Sequence, residues 1–244
     1  MLQKPKQPQE SLSFEQLLGW FGRFTPQFKF KLMSVKRQLK MNEFDLFIRE
    51  TLTVFRSLLI ELGQTPKGPS RAKAVYQMLD KEYQASPPLG ISCSKECAAC
   101  CKSFPKHITD DEADLLTSLI ESKAVEFDQV ALMTQINDLS SNDPQIRSQG
   151  ERSPCLFLDH QNNCRIYENR PSICRKYHVV SPKEFCSMEG EAVTPRIDLM
   201  PEMIVSAAIS LPDNGIDLMP NQLYKRLNRE NKFDSESLNK KSSV

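Results

Sequence analysis

The sequence predicts a mainly α protein with a small, irregular, cysteine-rich metal domain between two helical parts. Two observations lead to this fold class. Apolar side chains recur at helical spacing in the first third of the chain and again near its end, and all eight cysteines fall between positions 93 and 186. We expect three sections: residues 1–88 as a basic helical section, residues 89–192 as a cysteine-cluster domain, and residues 193–244 as C-terminal helices with a polar tail.

The first section is predicted to contain three helices. Ser13 and Gln16 form a capping box in front of a short first helix. The clearest helix follows Asn42 and carries an apolar face as far as Leu62, where the glycine that follows supplies a stop. A third helix is expected over about 70–83, before the two prolines that precede the first cysteine.

Basic residues dominate this helical section. Residues 1–88 carry 14 Lys and Arg against 8 Asp and Glu, a net charge of +6, and residues 16–42 contain six bases, five aromatic residues and no acid. Such a surface can bind an anionic partner such as lipid or nucleic acid. A solvated basic face over core aromatics is the interpretation we favour, because no nucleic-acid motif accompanies the charge.

The cysteine-rich section is predicted to consist of short elements. Thr109 and Glu112 form a second capping box, which opens a helix through Ile120, and a further helix is expected over 129–139. The stretch PCLFLDHQNNCRIY has a β-prone run at each end of residues 156–167 and an Asn-rich turn between them. This pattern indicates a small hairpin.

Prolines are expected to begin the remaining short helices. Pro171 and Pro182 each open a helical turn that leads to a cysteine. Two C-terminal helices are predicted over about 201–210 and 220–229, and a copy of the pentapeptide IDLMP precedes each of them. The repeated proline marks helix entry rather than a structural repeat.

The cysteines indicate metal ligation in a reducing compartment. The start of the chain, MLQKPKQPQE, lacks the apolar stretch of a secretory signal, and no run is long enough to span a membrane, so we expect a cytoplasmic protein. Thiols stay reduced in the cytoplasm, where clustered cysteines more often bind metal than form structural disulfides. The four thiols of CSKECAACC converge either on one face of a helix or in a tight turn, and a thiophilic cation would stabilise either arrangement.

Eight thiols suit several metal centres. They divide into two four-sulfur zinc sites, two cubane iron–sulfur clusters, or one polynuclear centre with spare thiols. Neighbouring side chains rarely chelate one ion without strain, so the vicinal pair Cys100 and Cys101 favours an iron–sulfur centre over zinc. Bases close to the cysteines either offset the charge of such a centre or are ordinary surface charges. They are Lys95, Lys102, Arg165, Arg170, Arg175 and Lys176.

The spacing of these residues resembles a known family. The stretches CSKECAACC and PCLFLDHQNNCRIYENRPSICRKY, with one later cysteine, are similar to the cysteine-cluster proteins of the YkgJ type, also called the CxxCxxCC zinc- or iron-chelating domain, over about residues 90–188. Ala98 stands where such proteins often carry a glycine. The resemblance implies that zinc or iron is chelated by Cys93, Cys97, Cys100, Cys101, Cys155, Cys164, Cys174 and Cys186.

Enzyme activity is left open by the sequence. The first three cysteines match the CxxxCxxC spacing of radical S-adenosylmethionine enzymes, but the chain after them is short and lacks the strand pattern of a barrel. The flagellin lysine N-methylase belongs to the same cysteine-cluster group, which makes S-adenosylmethionine-dependent methyl transfer an alternative by resemblance, although no glycine-rich nucleoside loop is present. A zinc-stabilised interaction module is the other alternative. Spare candidate ligands are His107, His160 and His178.

Overall fold

The computed structural model describes residues 26–94, 97–103, 106–187 and 191–228. Within these residues the chain is mainly helical and its strands span only two or three residues, so the predicted fold class is confirmed. The helix predicted at Ser13 lies outside the described residues. The helices are α1 (Pro26–Gln38), α2 (Met41–Gln64), α3 (Pro69–Ala85), α4 (Ala99–Ser103), α5 (Asp110–Glu121), α6 (Gln129–Leu139), α7 (Pro144–Glu151), α8 (Ser172–Lys176), α9 (Leu199–Ser210) and α10, described over 219–228.

Two antiparallel strand pairs connect distant parts of the described chain. Strand β1 pairs with β4, and β2 pairs with β3. Neither pair was predicted, because two or three residues are too few to show the alternation of a strand. The strands are β1 (His107–Thr109), β2 (His178–Val179), β3 (Pro195–Arg196) and β4 (Ile216–Leu218), and 3-10 turns cover Tyr167–Asn169 and Lys183–Ser187.

The first hydrophobic core is built mainly by α2, α3 and α9. Helix α9 packs against both of the others, so this C-terminal helix belongs to the core of the N-terminal section. Full burial of each large apolar side chain stabilises the fold by about 1.5–3 kcal/mol. The buried residues are Leu32, Leu52, Phe55, Leu58, Leu62, Ala72, Val75, Tyr76, Leu79, Leu115, Ile197, Met203, Ile204, Val205, Ala207, Ala208 and Leu211.

The second core lies beneath the cysteine-rich section. Helix α5 begins at the predicted capping box, in which the Thr109 hydroxyl accepts the Glu112 N–H, and α6 has the predicted limits. Helix α10 adds apolar side chains to this core, which ties the end of the described chain to its middle. The buried residues are Ile108, Ala113, Leu116, Leu132, Leu156, Phe157, Ile166, Met219 and Leu223.

The hairpin is shorter in the structure than its sequence pattern predicts. Only Leu158 and Cys164 form a β-bridge. The turn between them closes on the Asp159 carboxylate, whose Oδ1 accepts the N–H of Gln161 at 2.8 Å and the N–H of Asn163 at 2.7 Å. A side-chain turn of this kind competes with the strand ladder for backbone N–H groups. The β-prone runs therefore flank an Asx turn instead of forming two full strands.

Helix α7 was not predicted, because proline was interpreted as the end of the preceding helix. In the structure Asp143 caps a new helix by accepting the Gln145 N–H at 2.8 Å, and Pro144 takes the first helical position, where no N–H is needed. Helix α7 then packs closely on α6. A Cβ atom at Gly150 would lie 2.9 Å from the Cβ of Asp138, so this approach requires glycine.

A buried ion pair joins the two cores. Arg71 donates from Nε to Asp111 Oδ2 at 2.5 Å and from Nη2 to Asp111 Oδ1 at 3.1 Å. The same carboxylate accepts the Gly68 N–H at 2.6 Å, and the amide oxygen of Asn214 accepts the Asp111 N–H at 3.0 Å. Asp213 supplies a second carboxylate to Arg71 at 3.2 Å. A buried pair is stable only when its remaining polar atoms are hydrogen-bonded, and these contacts meet that requirement.

A cysteine-lined cavity as candidate metal centre

The first four cysteines lie on a turn and a short helix. Cys93 and Cys97 precede α4 without regular secondary structure, and α4 carries only Cys100 and Cys101. Of the two arrangements considered for CSKECAACC, the continuous helix therefore does not form. The Cys93 sulfur accepts the Val179 N–H at 3.4 Å, which fixes the start of this segment on strand β2.

The other four cysteines come from four separate short segments. Cys155 follows α7, and Cys164 lies at the end of the Asx turn. Cys174 sits on α8, which begins after Pro171 as predicted, and Cys186 sits in the second 3-10 turn. Because each segment is only a few residues long, the surrounding helices determine where each thiol points.

All eight cysteines line one cavity of about 450 Å³. None of them forms a disulfide. The structure thus brings together every cysteine that the sequence proposed as a ligand, although their role as ligands stays a prediction. Among the described residues, no group of three or more Cys, His, Asp or Glu side chains is already arranged to hold a metal ion. The thiols lie in the walls of the cavity.

Burial and mutual repulsion favour the protonated thiols. For Cys100 the largest effect is a hydrogen bond with Cys101, which raises the pKa of the Cys100 thiol, and burial adds to it. A coordinated thiol loses its proton outright, so a metal ion would reverse this preference. Burial is the main cause of the raised pKa of five other thiols, those of Cys93, Cys155, Cys164, Cys174 and Cys186.

Repulsion between the thiols divides six of the cysteines into two sets. After burial, the pKa of the Cys186 thiol is raised by Cys93 and Cys97. The pKa of the Cys174 thiol is raised by Cys155 and Cys164. Cys100 raises the pKa of both thiols, so Cys100 interacts with members of both sets. The first set is Cys93, Cys97 and Cys186, and the second set is Cys155, Cys164 and Cys174.

Lys106 is a cavity residue that the sequence analysis missed. Its Nζ donates to the carbonyl oxygens of Cys101 at 2.9 Å and Ser153 at 3.2 Å. The Cys155 N–H donates to the same Cys101 carbonyl at 2.7 Å, so the middle of α4 is tied to Cys155. Burial lowers the pKa of Lys106, and its charge lowers the pKa of the Cys155 thiol. The available signal was a lysine five positions after Cys101.

Of the five predicted bases that the structure describes, only one is found in the cavity wall. Arg170 lines the cavity, and its charge lowers the pKa of the Cys164 thiol. Arg165 is exposed and lies 3.9 Å from Glu126, a distance at which a surface pair adds little stability. Lys102 is also exposed, and Lys95 lies outside the described residues.

Two more of the predicted bases position α8 instead of facing the thiols. Arg175 pairs with Asp80 of α3 at 2.6 Å, and Lys176 pairs with Glu202 of α9 at 2.5 Å. Both basic side chains are buried. Helix α8, which carries Cys174, is therefore held by one charged contact to α3 and one to α9.

The Glu112 carboxylate also fixes α8. Its Oε2 accepts the Thr109 N–H at 2.9 Å as part of the cap of α5, and its Oε1 accepts the Ser172 N–H at 2.6 Å. Glu112 is buried, and a hydrogen bond to a charged group is stronger than one between neutral groups. One carboxylate thus couples the start of α5 to the helix that carries Cys174.

Of the three histidines, only His178 lines the cavity. His107 and His160 are exposed, so the structure gives them no place beside the thiols. Burial is the main cause that lowers the pKa of His178, which keeps its imidazole neutral near pH 7. Tyr167 and Tyr177 also form part of the wall.

A family model matches the cysteine-rich stretch of the chain. Residues 92–191 match the family described as "CxxCxxCC: Putative zinc- or iron-chelating domain". The resemblance drawn from the cysteine spacing is therefore confirmed for these residues. No curated protein and no solved structure matches the chain. Among the described helices, none is long and apolar enough to cross a membrane.

Proposed function

We propose that the cavity chelates zinc or iron through the thiolates of all eight cysteines. The observation that carries this proposal is that every cysteine of the chain lines the same cavity, although the cysteines come from five separate stretches of sequence. Scattered burial of small apolar side chains would not collect all of them in one place. The match of residues 92–191 to a chelating domain supports the same conclusion.

The donor chemistry fits a thiophilic metal. Burial keeps these thiols protonated, and a bound zinc or iron ion would displace the protons and stabilise the thiolates. Thiolates are the ligands that these ions select. Sulfur binds zinc at about 2.3 Å, so the thiols must move inward from the cavity walls when metal is bound. Lys106 and Arg170 would remain beside the centre and offset part of its negative charge.

The vicinal pair supports an iron–sulfur centre. Cys100 and Cys101 are adjacent on α4, and Cys100 interacts with members of both thiol sets. Each set has three thiols, so one member of the pair can complete each set to four. A cluster or a pair of clusters uses such an arrangement without forcing neighbouring side chains onto one ion. Two four-thiolate zinc sites are the alternative outcome.

Anaerobic purification followed by absorption spectroscopy, metal analysis and sulfide analysis tests this proposal. A brown protein with iron and acid-labile sulfide supports the iron–sulfur form, and a colourless protein with about two zinc ions per chain supports zinc sites. Protein that contains neither metal, and takes up neither on reconstitution, would contradict chelation.

Cys100→Ser and Cys101→Ser test how the centre is divided. Serine keeps the size of the side chain but replaces a soft thiolate with a hydroxyl of high pKa. With two centres, each variant should damage one and leave the other measurable, whereas a single centre should be degraded by either change. Ala99→Ser is the matched control on the same short helix. Wild-type metal content in both cysteine variants would show that neither residue is a ligand.

We also propose that residues 89–192 form a unit that depends on the C-terminal helices. Met219 lines the cavity, and Leu223 is fully buried in the second core. Strand β4 also pairs with β1 in front of α5. A fragment that ends near residue 192 should therefore bind metal less stably than one that continues to residue 228.

A further inference from the structure

The cavity has the character of a small-molecule site as well as of a metal site. Its volume of about 450 Å³, which the proposed metal centre would share, lies in the range of about 300–1,000 Å³ that ligand pockets occupy. Apolar side chains such as Ile91, Ile173 and Val179 form part of its wall beside the thiols. A wall that combines apolar area with a few polar groups is typical of sites that bind small organic molecules.

Arg170 is a cation of this wall with unused hydrogen-bonding capacity. Its Nε is buried and has no hydrogen-bond partner among the described residues. The guanidinium stacks on the Tyr167 ring at 4.4 Å, which holds the guanidinium plane in place without using its donors. No described carboxylate lies within ion-pair distance of Arg170. A buried, charged donor without a partner is costly, so such groups usually bind water or an ion.

His178 provides a second polar atom of the same kind. Its Nδ1 is buried and has no hydrogen-bond partner among the described residues. The ring packs edge-on against Tyr83 at 5.2 Å, which fixes its orientation. Arg170 and His178 both line the thiol cavity and also an outer groove, so they share the wall between these two spaces.

Two other arginines near this wall are neutralised by carboxylates, whereas Arg170 is paired with none that the structure describes. Arg175 is neutralised by Asp80 at 2.6 Å. Arg196 and Asp198 pair at 2.7 Å. Asp80 and Asp198 therefore already have basic partners, and neither neutralises Arg170.

We propose that the cavity also binds a small molecule that carries a carboxylate or a phosphate, with Arg170 and His178 holding its anionic end beside the thiols. The guanidinium presents a planar fork of donors that matches either oxyanion. The apolar wall takes the rest of the molecule. This inference rests on the proposed metal centre, because the bound molecule would lie next to it.

A purely electrostatic role for Arg170 is the competing explanation. In that case the guanidinium only offsets the negative charge of the thiolates. Its charge lowers the pKa of the Cys164 thiol, as such a role requires. The two explanations differ in what they expect of added anions. A counter-charge leaves no site for an anion, whereas the proposed site binds one.

Calorimetric titration of the metal-loaded protein with inorganic phosphate and with acetate tests the proposal at constant ionic strength. The wild type is expected to bind one of the two with a Kd below about 1 mM, and the preferred anion identifies the ligand as a phosphate or a carboxylate. Arg170→Gln should weaken this binding roughly ten- to a hundredfold. Arg165→Gln, which changes an exposed arginine of the same region, should leave it unchanged. Equal binding by Arg170→Gln, or no binding by the wild type, would overturn the proposal.

A second measurement on the wild type avoids dependence on the folding of a variant. In ¹⁵N-labelled protein, the Nε–H resonance of Arg170 is identified by its loss in Arg170→Lys. Phosphate or acetate should shift this resonance in a saturable manner, and an unchanged resonance would contradict the site. Metal analysis of the same sample tests the proposed function separately. Absence of metal would contradict the proposed function, whereas bound metal without an anion response would contradict only the anion site.

Discussion

The helical core and the cysteine cavity differ in what holds them together. The core of α2, α3 and α9 rests on long helices and many fully buried apolar side chains. The cavity is enclosed by helices of five residues, 3-10 turns and strands of two or three residues. Short elements bury too little area to be stable by themselves, so the cavity depends on the contacts that its walls make with the two cores.

This difference shows where metal and buried charge matter. In the helical core, stability comes from buried apolar surface area and is spread over many residues. In the cavity it is concentrated in a few contacts, such as the Glu112 carboxylate and the Lys106 ammonium, and in the proposed metal. The two regions should therefore respond differently to chelators, to pH and to single substitutions.

Metal removal should produce the largest difference in stability between the helical core and the cavity. Structural zinc contributes about 10–16 kcal/mol to the folding of zinc-finger peptides, so a chelator should release the short elements α4 and α8. Helices α2 and α3 should keep their protection, because their core contains none of the eight cysteines. Hydrogen exchange measured by mass spectrometry checks this. Unchanged protection across the described part of residues 93–186 after complete metal removal would contradict it.

Acid should weaken metal binding while leaving the helical core intact. Six thiols have a pKa above the ordinary value of 9.0, so they carry protons at pH 7 that metal must displace. Each proton displaced makes binding weaker by about 1.4 kcal/mol for every pH unit lost.

Calorimetry in buffers of different ionisation enthalpy gives the number of protons released. We expect affinity to rise from pH 6 to pH 8 with release of several protons. Binding that is independent of pH would mean that thiolates are not the ligands.

Loss of the buried ion pair should uncouple the two regions. Asp111→Ala leaves Arg71 and the Gly68 N–H without their carboxylate, and removal of one partner of a buried pair costs about 3–5 kcal/mol. Asp213→Ala is the matched control, because Asp213 also contacts Arg71 but is partly exposed and should cost no more than about 1 kcal/mol. Denaturant unfolding measures both. Equal losses would show that burial does not decide the strength of this contact.

Glu112→Gln should have a smaller effect that reaches the cavity. The neutral amide weakens the hydrogen bonds to Thr109 and Ser172, which should cost about 1–3 kcal/mol and lower metal affinity through the position of Cys174. Glu121→Gln, on the exposed end of the same helix, should change stability by no more than about 0.5 kcal/mol. Denaturant unfolding and metal competition test both variants. A loss of stability without any change in metal affinity would limit Glu112 to the cap of α5.

The sequence predicted the helical region well because its signals are local. Capping residues and apolar spacing predicted a helix from about 42 to 62, and the structure has Met41–Gln64. The capping box at Thr109 and the range of α6 were predicted in the same way. Such signals act over three or four residues, so a single sequence contains them in full.

Convergence of the cysteines was also predictable, but the cavity walls were not. Spacing shows that CSKECAACC gathers thiols, whereas no local pattern shows that β4 pairs with β1 or that Glu112 reaches Ser172, 60 positions away. Lys106 was missed for the same reason, since its partners include the distant Ser153 carbonyl. Arg175 and Lys176 looked like counter-charges for the thiols because sequence proximity does not give side-chain direction.

Alkylation of the native protein by iodoacetamide, read residue by residue by mass spectrometry, tests the central claim most directly. If all eight cysteines bind metal, they should be protected together in the metal-loaded protein and become reactive together after chelation. The unfolded protein gives the reference rate for each thiol. A cysteine that reacts at that reference rate while metal is fully bound would contradict its role as a ligand, and reaction of a whole set would contradict the shared cavity as the metal centre.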